Sequence, residues 1–273
     1  VRNRRPDVVI NLFEGLADES SSEAEVARLL EYFHLAFTGC PSRSLRQARS
    51  KHLTKQILLE AGLPTPEFFV VERTPVPECS LRWPVIVKPA LEDASIGIDQ
   101  GSVVTDQRRL VDRVISLLNN YGSPVLVEEF INGREFSAAV IESPHLQVLP
   151  ISEILFPEII PGWWPIVTYD GKWNPGSRDY EATPPKYPAD VCPHLAGRLG
   201  RLARRAFRLL GRRDYARVDF RLTRAGAPYI LEINPNPDFS PIACLAGALA
   251  SAGISHAEFT LQVVANALAR SRR

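Results

Sequence analysis

Methionine is absent from all 273 residues, position 1 included. A truncated start or a non-ATG start codon would explain the missing initiator. Cysteine is scarce. Cys40, Cys79, Cys192 and Cys244 lie far apart, with no C-x-x-C pair and no zinc-ligand spacing. That excludes a zinc-stapled module and leaves isolated buried thiols in a reducing compartment. No apolar run reaches the roughly 20 residues of a membrane-spanning helix, and the start has no signal-peptide pattern, so a cytoplasmic protein is expected. Charge of one sign is also lacking: 32 Lys and Arg stand against 31 Asp and Glu, a net charge of +1. This balance gives no support to nucleic acid or a membrane as the main partner.

What is present reads as globular, with 45% hydrophobic and 23% charged residues. Residues 8–13 form a short apolar run expected as a buried strand. Ser22 and Glu25 have capping-box spacing, and Val26, Leu29, Leu30 and Phe33 mark a helix face. One strand is too few for a stable sheet. Residues 1–43 therefore read as part of an α/β domain whose remainder was removed or is completed by a partner.

A small α+β unit is expected over 44–127. It has a helix over 50–61 stopped by Gly62, extended chain forced by Pro64 and Pro66, strands at 85–89 and 102–104, and a helix over 106–118. Residues 125–130 open a larger unit, 128–273, with strands at 136–141 and 147–151. The stretch 157–188 is rich in Pro, Gly, Trp and Tyr and has no clean period, which suits a functional loop. A helix over 193–210 ends at Gly211, two strands follow, and a final helix is capped by Ser255 and Glu258.

The two strands, 216–222 and 229–234, alternate polar and apolar residues around a turn containing Gly226. A turn centred on Ala225 and Gly226 sets Asp219 opposite Glu232 and Arg217 opposite Asn234. All four then share one face, while Val218, Phe220, Leu231 and Ile233 point to the other. Opposed carboxylates roughly 5 Å apart repel by about 3 kcal/mol at an effective dielectric near 20. A cation relieves that, and two carboxylates with an amide suit a hard ion such as Mg²⁺. A solvent-facing hairpin with ordinary charges is the alternative.

Five stretches, in order, resemble the ATP-grasp superfamily and, within it, the D-alanine–D-alanine ligase-like branch. They are NLFEG (11–15), VIVKPALEDASIG (85–97), LVEEFINGREF (126–136), YARVDF (215–220) and LEINPNPDFSP (231–241). The resemblance implies an α+β, ATP-grasp fold: two α+β lobes clasp ATP, preceded here by the partial α/β domain. It implies Lys55 and Lys88 on the phosphates, and Glu128, Glu129, Phe130 and Ile131 as the segment whose backbone reads adenine. It also implies Glu135 on the ribose, Phe156 and Leu231 beside the nucleotide, and Mg²⁺ (Mn²⁺ as a substitute) on Asp219, Glu232 and Asn234. The loop 92–98, with Ser95, resembles the cover over the phosphates. Arg217 is implied at the oxyanion, with a salt bridge to Asp219 or Glu232 as the alternative, and Lys172 on the substrate-covering loop.

The implied chemistry is ATP-dependent carboxylate–amine ligation through an acyl phosphate, on small amino acid-like substrates, in a chain whose relatives are commonly homodimers. The alternatives are a regulatory ATP-binding module without turnover and a phosphotransferase. Three departures bear on the substrate. Ala94 stands where the family has the first of two serines, and Trp173 where it often has tyrosine. The glutamate that completes their hydrogen-bond triad has no counterpart. Trp173 offers only an N–H, and Ala94 no side-chain donor or acceptor. The substrate is therefore expected to differ from D-alanine.

Overall fold

Runs of valine build the smaller of two sheets. The computed structural model describes residues 6–15, 21–122, 124–142, 145–156, 161–241 and 243–271. In it, β1 (Phe68–Val71), β2 (Val85–Pro89), β3 (Val103–Val104) and β4 (Val125–Glu129) pair antiparallel in the order β1-β4-β2-β3. One face packs under the helix Gln107–Tyr121, whose Leu110, Val114 and Leu117 meet Val85, Val87, Val125 and Val127. Asp106 caps that helix by accepting the Arg109 N–H at 2.9 Å, and Gly122, at φ +75°, ends it. Because strand side chains alternate, Ile86, Lys88 and Glu128 point the other way. β4 pairs with both β1 and β2. Residues 125–127 thus close the smaller lobe rather than open the larger one, and a boundary after 127 falls inside β4.

The larger sheet runs β10-β9-β5-β7-β8, with β6 also on β5. Its strands are β5 (Glu135–Glu142), β6 (Leu146–Val148), β7 (Ser152–Ile154), β8 (Pro185–Lys186), β9 (Tyr215–Leu222) and β10 (Pro228–Asn234). The helix Pro193–Leu209 buries Leu199, Ala203 and Phe207 against Phe136, Val218, Phe220 and Ile230. Leu58 of the helix Lys51–Glu60 joins this core. The helix His256–Ser271 opens on the expected box: Ser255 Oγ accepts the Glu258 N–H, and Glu258 accepts the Ser255 N–H. Two further helices lie outside those expected from the sequence. Ser42–Arg49 is short and arginine-rich, and Cys244–Ser251 (CLAGALAS) has no polar face to give it a period.

The start of the chain departs from expectation. Val9 makes a single parallel bridge to Phe37, and Ile10 and Leu12 are 46% and 54% exposed. Among the described residues no further strand pairs there, so the run is not a buried strand. The helix Ser21–Tyr32 already contains Ser22 and buries Ala24 and Ala27. Leu29 and Phe33, read as its inner face, are 47% and 52% exposed. The stretch 157–188 lacks a period because its described part is built of single turns, each capped locally: Thr168 accepts the Gly171 N–H and Ser177 the Tyr180 N–H.

The link between the sheets passes through Gly133, where an added Cβ would lie 1.8 Å from the Leu222 carbonyl oxygen. Gly133→Ala forces the link off β9 and should cost about 1–3 kcal/mol, read as a lower urea midpoint. An unchanged midpoint would show that the link can yield.

Candidate active site

The two sheets face each other across a cleft of about 810 Å³, its open mouth included. Lysine side chains line its wall on the smaller lobe. Lys88 Nζ donates to Glu128 Oε1 at 2.5 Å, and Lys55 Nζ lies 2.7 Å from Glu128 Oε2. Lys55 also donates to Thr65 Oγ1 at 2.8 Å, and Thr65 passes the bond on to the Ile230 carbonyl. All three charged groups are buried. Burial alone would raise the Glu128 carboxyl, but Lys55 and Lys88 outweigh it and hold it at about 2. Burial, aided by Lys88, pushes Lys55 down to about 8.

Lys55 therefore stands behind the wall, locked to Glu128 and Thr65, whereas Lys51, one helical turn earlier, lines the cleft. Lys51 was not singled out in the sequence, although K-x-x-x-K places both lysines on one helix face. Burial lowers its pKa against the pull of Glu232. The wall thus holds more buried positive charge than Glu128 can neutralise.

The opposite wall is the hairpin. Asp219 pairs with Glu232 and Arg217 with Asn234, in the expected register. Nearer the turn the register shifts, with a bulge between Ile230 and Glu232. Ile230 takes the core position, and Leu231, read from alternation as a core residue, lines the cleft instead. Arg217 binds Asp219 through Nε and Nη2, both at 2.8 Å, and Ser137 Oγ donates to Asp219 at 2.6 Å. The salt bridge left open by the sequence is formed. Burial would lower the Arg217 pKa, but Asp219 outweighs it and raises it. Glu232 is held ionised against its burial by Lys51, Lys88, Arg217 and Lys172. Asn234 accepts the Asn236 N–H at 2.8 Å.

Among the described residues no three His, Cys, Asp or Glu side chains form a ready metal cage. Two carboxylates and an amide still fit Mg²⁺, which takes one or two carboxylates and completes its shell with phosphate oxygens and water.

At the far end, Glu128, Glu129, Phe130, Ile131 and Glu135 all line the cleft. The N–H groups of Glu129 and Phe130 bond to the Glu67 and Pro84 carbonyls, so neither can read a base. Phe156 does not line the cleft but lies over Arg221, 5.2 Å from its guanidinium. Arg221, also unread in the sequence, forms an ion pair with Glu135 at 2.6 Å.

Residues 57–265 match the family model described as D-ala D-ala ligase C-terminus, well over half of the chain. The chain belongs to the D-alanine–D-alanine ligase family. It is 32% identical to D-alanine–D-alanine ligase A of Mesorhizobium japonicum, over 98% of this chain and 74% of that one. It is 33% identical to an uncharacterised protein of Sinorhizobium fredii, over 93% and 72%. A Bacillus anthracis D-alanine–D-alanine ligase superposes with a TM-score of 0.80 over 99% of this chain and 83% of its own, and its complex with ATP with 0.76 over 97% and 80%. At 20% identity these structures establish the fold, which is ATP-grasp.

In this family member two loops roof the cleft and clasp each other. Ser95 Oγ donates to the Val167 carbonyl at 3.1 Å, the Tyr169 N–H to Ile98 at 2.9 Å, and Trp173 Nε1–H to the Ala94 carbonyl at 2.9 Å. Ala94 thus contributes its backbone where its side chain has nothing to offer. Ala94 and Ser95 both have positive φ, +53° and +64°, which costs roughly 1–2 kcal/mol each; the clasp offsets that strain. Lys172 lies over the Trp173 ring, its pKa lowered by burial and by Arg217. Glu14, Glu23 and Asp238 gather nearby, a grouping the sequence did not reveal, and burial pushes Glu23 up to about 7.

Glu128→Gln leaves two buried lysines without a counter-charge and should destabilise the fold by about 3–5 kcal/mol. With its folded pKa below the unfolded value, Glu128 contributes stability that is full above about pH 4.5 and is lost as pH falls toward 2. Urea midpoints across this window should fall more steeply in the wild type than in the variant. Parallel curves would contradict this account.

Proposed function

We propose that this chain is an ATP- and Mg²⁺-dependent carboxylate–amine ligase of the D-alanine–D-alanine ligase type, with a diverged amino-acid substrate. One observation carries the reading: an excess of buried lysine charge on one wall of a cleft faces an opposed carboxylate pair on the other. That arrangement complements a polyphosphate with its metal ion, and little else of that size. Lys88 and Lys51 bind the phosphates, with Lys55 holding Glu128 in place behind them. Glu135 takes the ribose hydroxyls, and Leu231 and Phe130 flank the base. Asp219, Glu232 and Asn234 hold Mg²⁺, which offsets charge on the transferring phosphoryl group when bound.

A substrate carboxylate oxygen attacks the γ-phosphorus, the bond to the β-phosphate oxygen breaks, and ADP leaves. The amine of the second substrate then attacks the acyl carbon. Arg217, fixed by Asp219, stabilises the oxyanion that forms there. Phosphate departs, the amine loses a proton, and a C–N bond remains. Lys172 and the clasped roof exclude water, which would otherwise hydrolyse the acyl phosphate. The substrate is diverged because Trp173 and Ala94 spend their hydrogen-bonding groups on each other.

Purified protein should release ADP only when a carboxylate and an amine from an amino-acid panel, D-alanine included, are supplied together. Arg217→Met should lower kcat by roughly 10²–10³-fold, with a much smaller change in ATP affinity measured by calorimetry. Asp219→Asn should weaken Mg²⁺-dependent ATP binding itself. If Mg·ATP raises the melting temperature yet no pair in the panel raises ADP release, the ligase reading fails and a binding module remains.

A further inference from the structure

Arg217, Asp219 and Arg221 share the cleft face of β9, and the chemistry above uses only the first two. Arg221 is 4% exposed at its side chain. Phe130 and Phe156 cover its guanidinium, their ring centroids 5.4 and 5.2 Å away. Its donors go to three separate pieces of the molecule. Nε and Nη2 lie 2.9 and 2.6 Å from Glu135 Oε2. Nη1 donates to the carbonyls of Ile131 and Gly133 at 3.4 and 3.2 Å, in the link between the sheets. Nη2 also donates to the Pro165 carbonyl, in the roof. The other roof bonds described above run to the phosphate loop, so Arg221 ties the roof to the larger sheet. Beside this tie, Trp164 stands edge-on to Phe130 at 5.4 Å.

We propose that Arg221 is a positioning residue that makes nucleotide binding and roof closure a single event. The inference rests on the nucleotide reading given above. Ribose hydroxyls bonding to Glu135 fix a carboxylate whose other oxygen holds the Arg221 fork. The fork in turn fixes Pro165 and the roof segment that follows it, through Val167, Tyr169 and Trp173, over the reacting groups. Coupling of this kind requires one element whose position both sites bias, and a planar guanidinium bonded to both meets that requirement. Lysine cannot replace it, because a point charge cannot span the carboxylate and two sets of carbonyls at once.

The test uses the full chain with Mg·ADP as probe, and reads the melting temperature together with trypsin cleavage after Lys172 and Arg178, mapped by mass spectrometry. In the wild type, saturating ADP should raise the melting temperature and slow roof cleavage by about five- to tenfold. Arg221→Met should speed roof cleavage without ligand. Saturating ADP should still raise its melting temperature but leave that cleavage rate unchanged. Arg221→Lys should restore part of the ADP affinity without restoring protection.

Glu135→Gln, which replaces the carboxylate with a neutral and weaker hold on the Arg221 fork, provides a second route should Arg221→Met not fold: ADP protection at saturation drops. Full ADP protection in Arg221→Met, or in Glu135→Gln at saturation, overturns the inference, as does ligand-free cleavage of Arg221→Met at the wild-type rate. A wild type whose melting temperature ignores ADP overturns the nucleotide reading, and this inference with it.

Discussion

Glu128 carries one negative charge into the wall between the lobes, and two lysine ammonium groups meet it there. The geometry reaches further than three side chains. Lys55 comes from the helix Lys51–Glu60, Lys88 from β2 and Glu128 from β4. Through Thr65 the same group touches the Ile230 carbonyl of β10. One carboxylate therefore registers a helix and both sheets against each other. Buried ion pairs seldom repay their desolvation by more than a hydrophobic replacement would, so stability alone is a weak reason for such a cluster. An incompletely neutralised cationic wall is, however, what an anionic ligand needs, and in the proposed function the opposed carboxylates across the cleft would supply a place for its metal.

Much of this was legible because it is local. The Ser255–Glu258 box and glycines 62 and 211 mark helix limits through the backbone geometry they permit. The alternation in 216–222 and 229–234, with one turn between, sufficed to bring Asp219 to Glu232. What stayed hidden depends on contacts distant in sequence. Nothing in Ile230-Leu231-Glu232-Ile233 marks which residue is the extra one, so the bulge that turns Leu231 into the cleft had no sequence signal. The choice between Lys51 and Lys55 follows from which turn of their helix reaches the cleft, and Leu58 helps to set that by packing into the larger core. The 8–13 run shows the opposite failure: its apolar pattern is that of a buried strand, but burial requires neighbours that the pattern cannot supply.

Hydrogen-bond supply separates the two ends of the cleft. At the proposed nucleotide end, charged side chains remain with capacity to spare: Lys51 and Lys88 on one wall, Glu135 and Glu232 on the other. At the roof, Trp173 has one donor, and the Ala94 carbonyl takes it. The pair closes the cleft as a serine and tyrosine would, yet neither side chain retains a donor or acceptor to fix a substrate's amino or carboxyl group. In the proposed ligase, polarity for the amino-acid substrates then has to come from Lys172 and Arg217 on one side and from Glu14, Glu23 and Asp238 on the other. A Glu23 carboxyl raised to about 7 is partly protonated near neutrality, so it can either donate a hydrogen bond or accept one from an ammonium group. The proposed divergence of the substrate rests on where the hydrogen bonds have gone. The clasp that roofs the reaction is retained in backbone form, and the recognition that accompanied it in side-chain form has to be rebuilt from different residues.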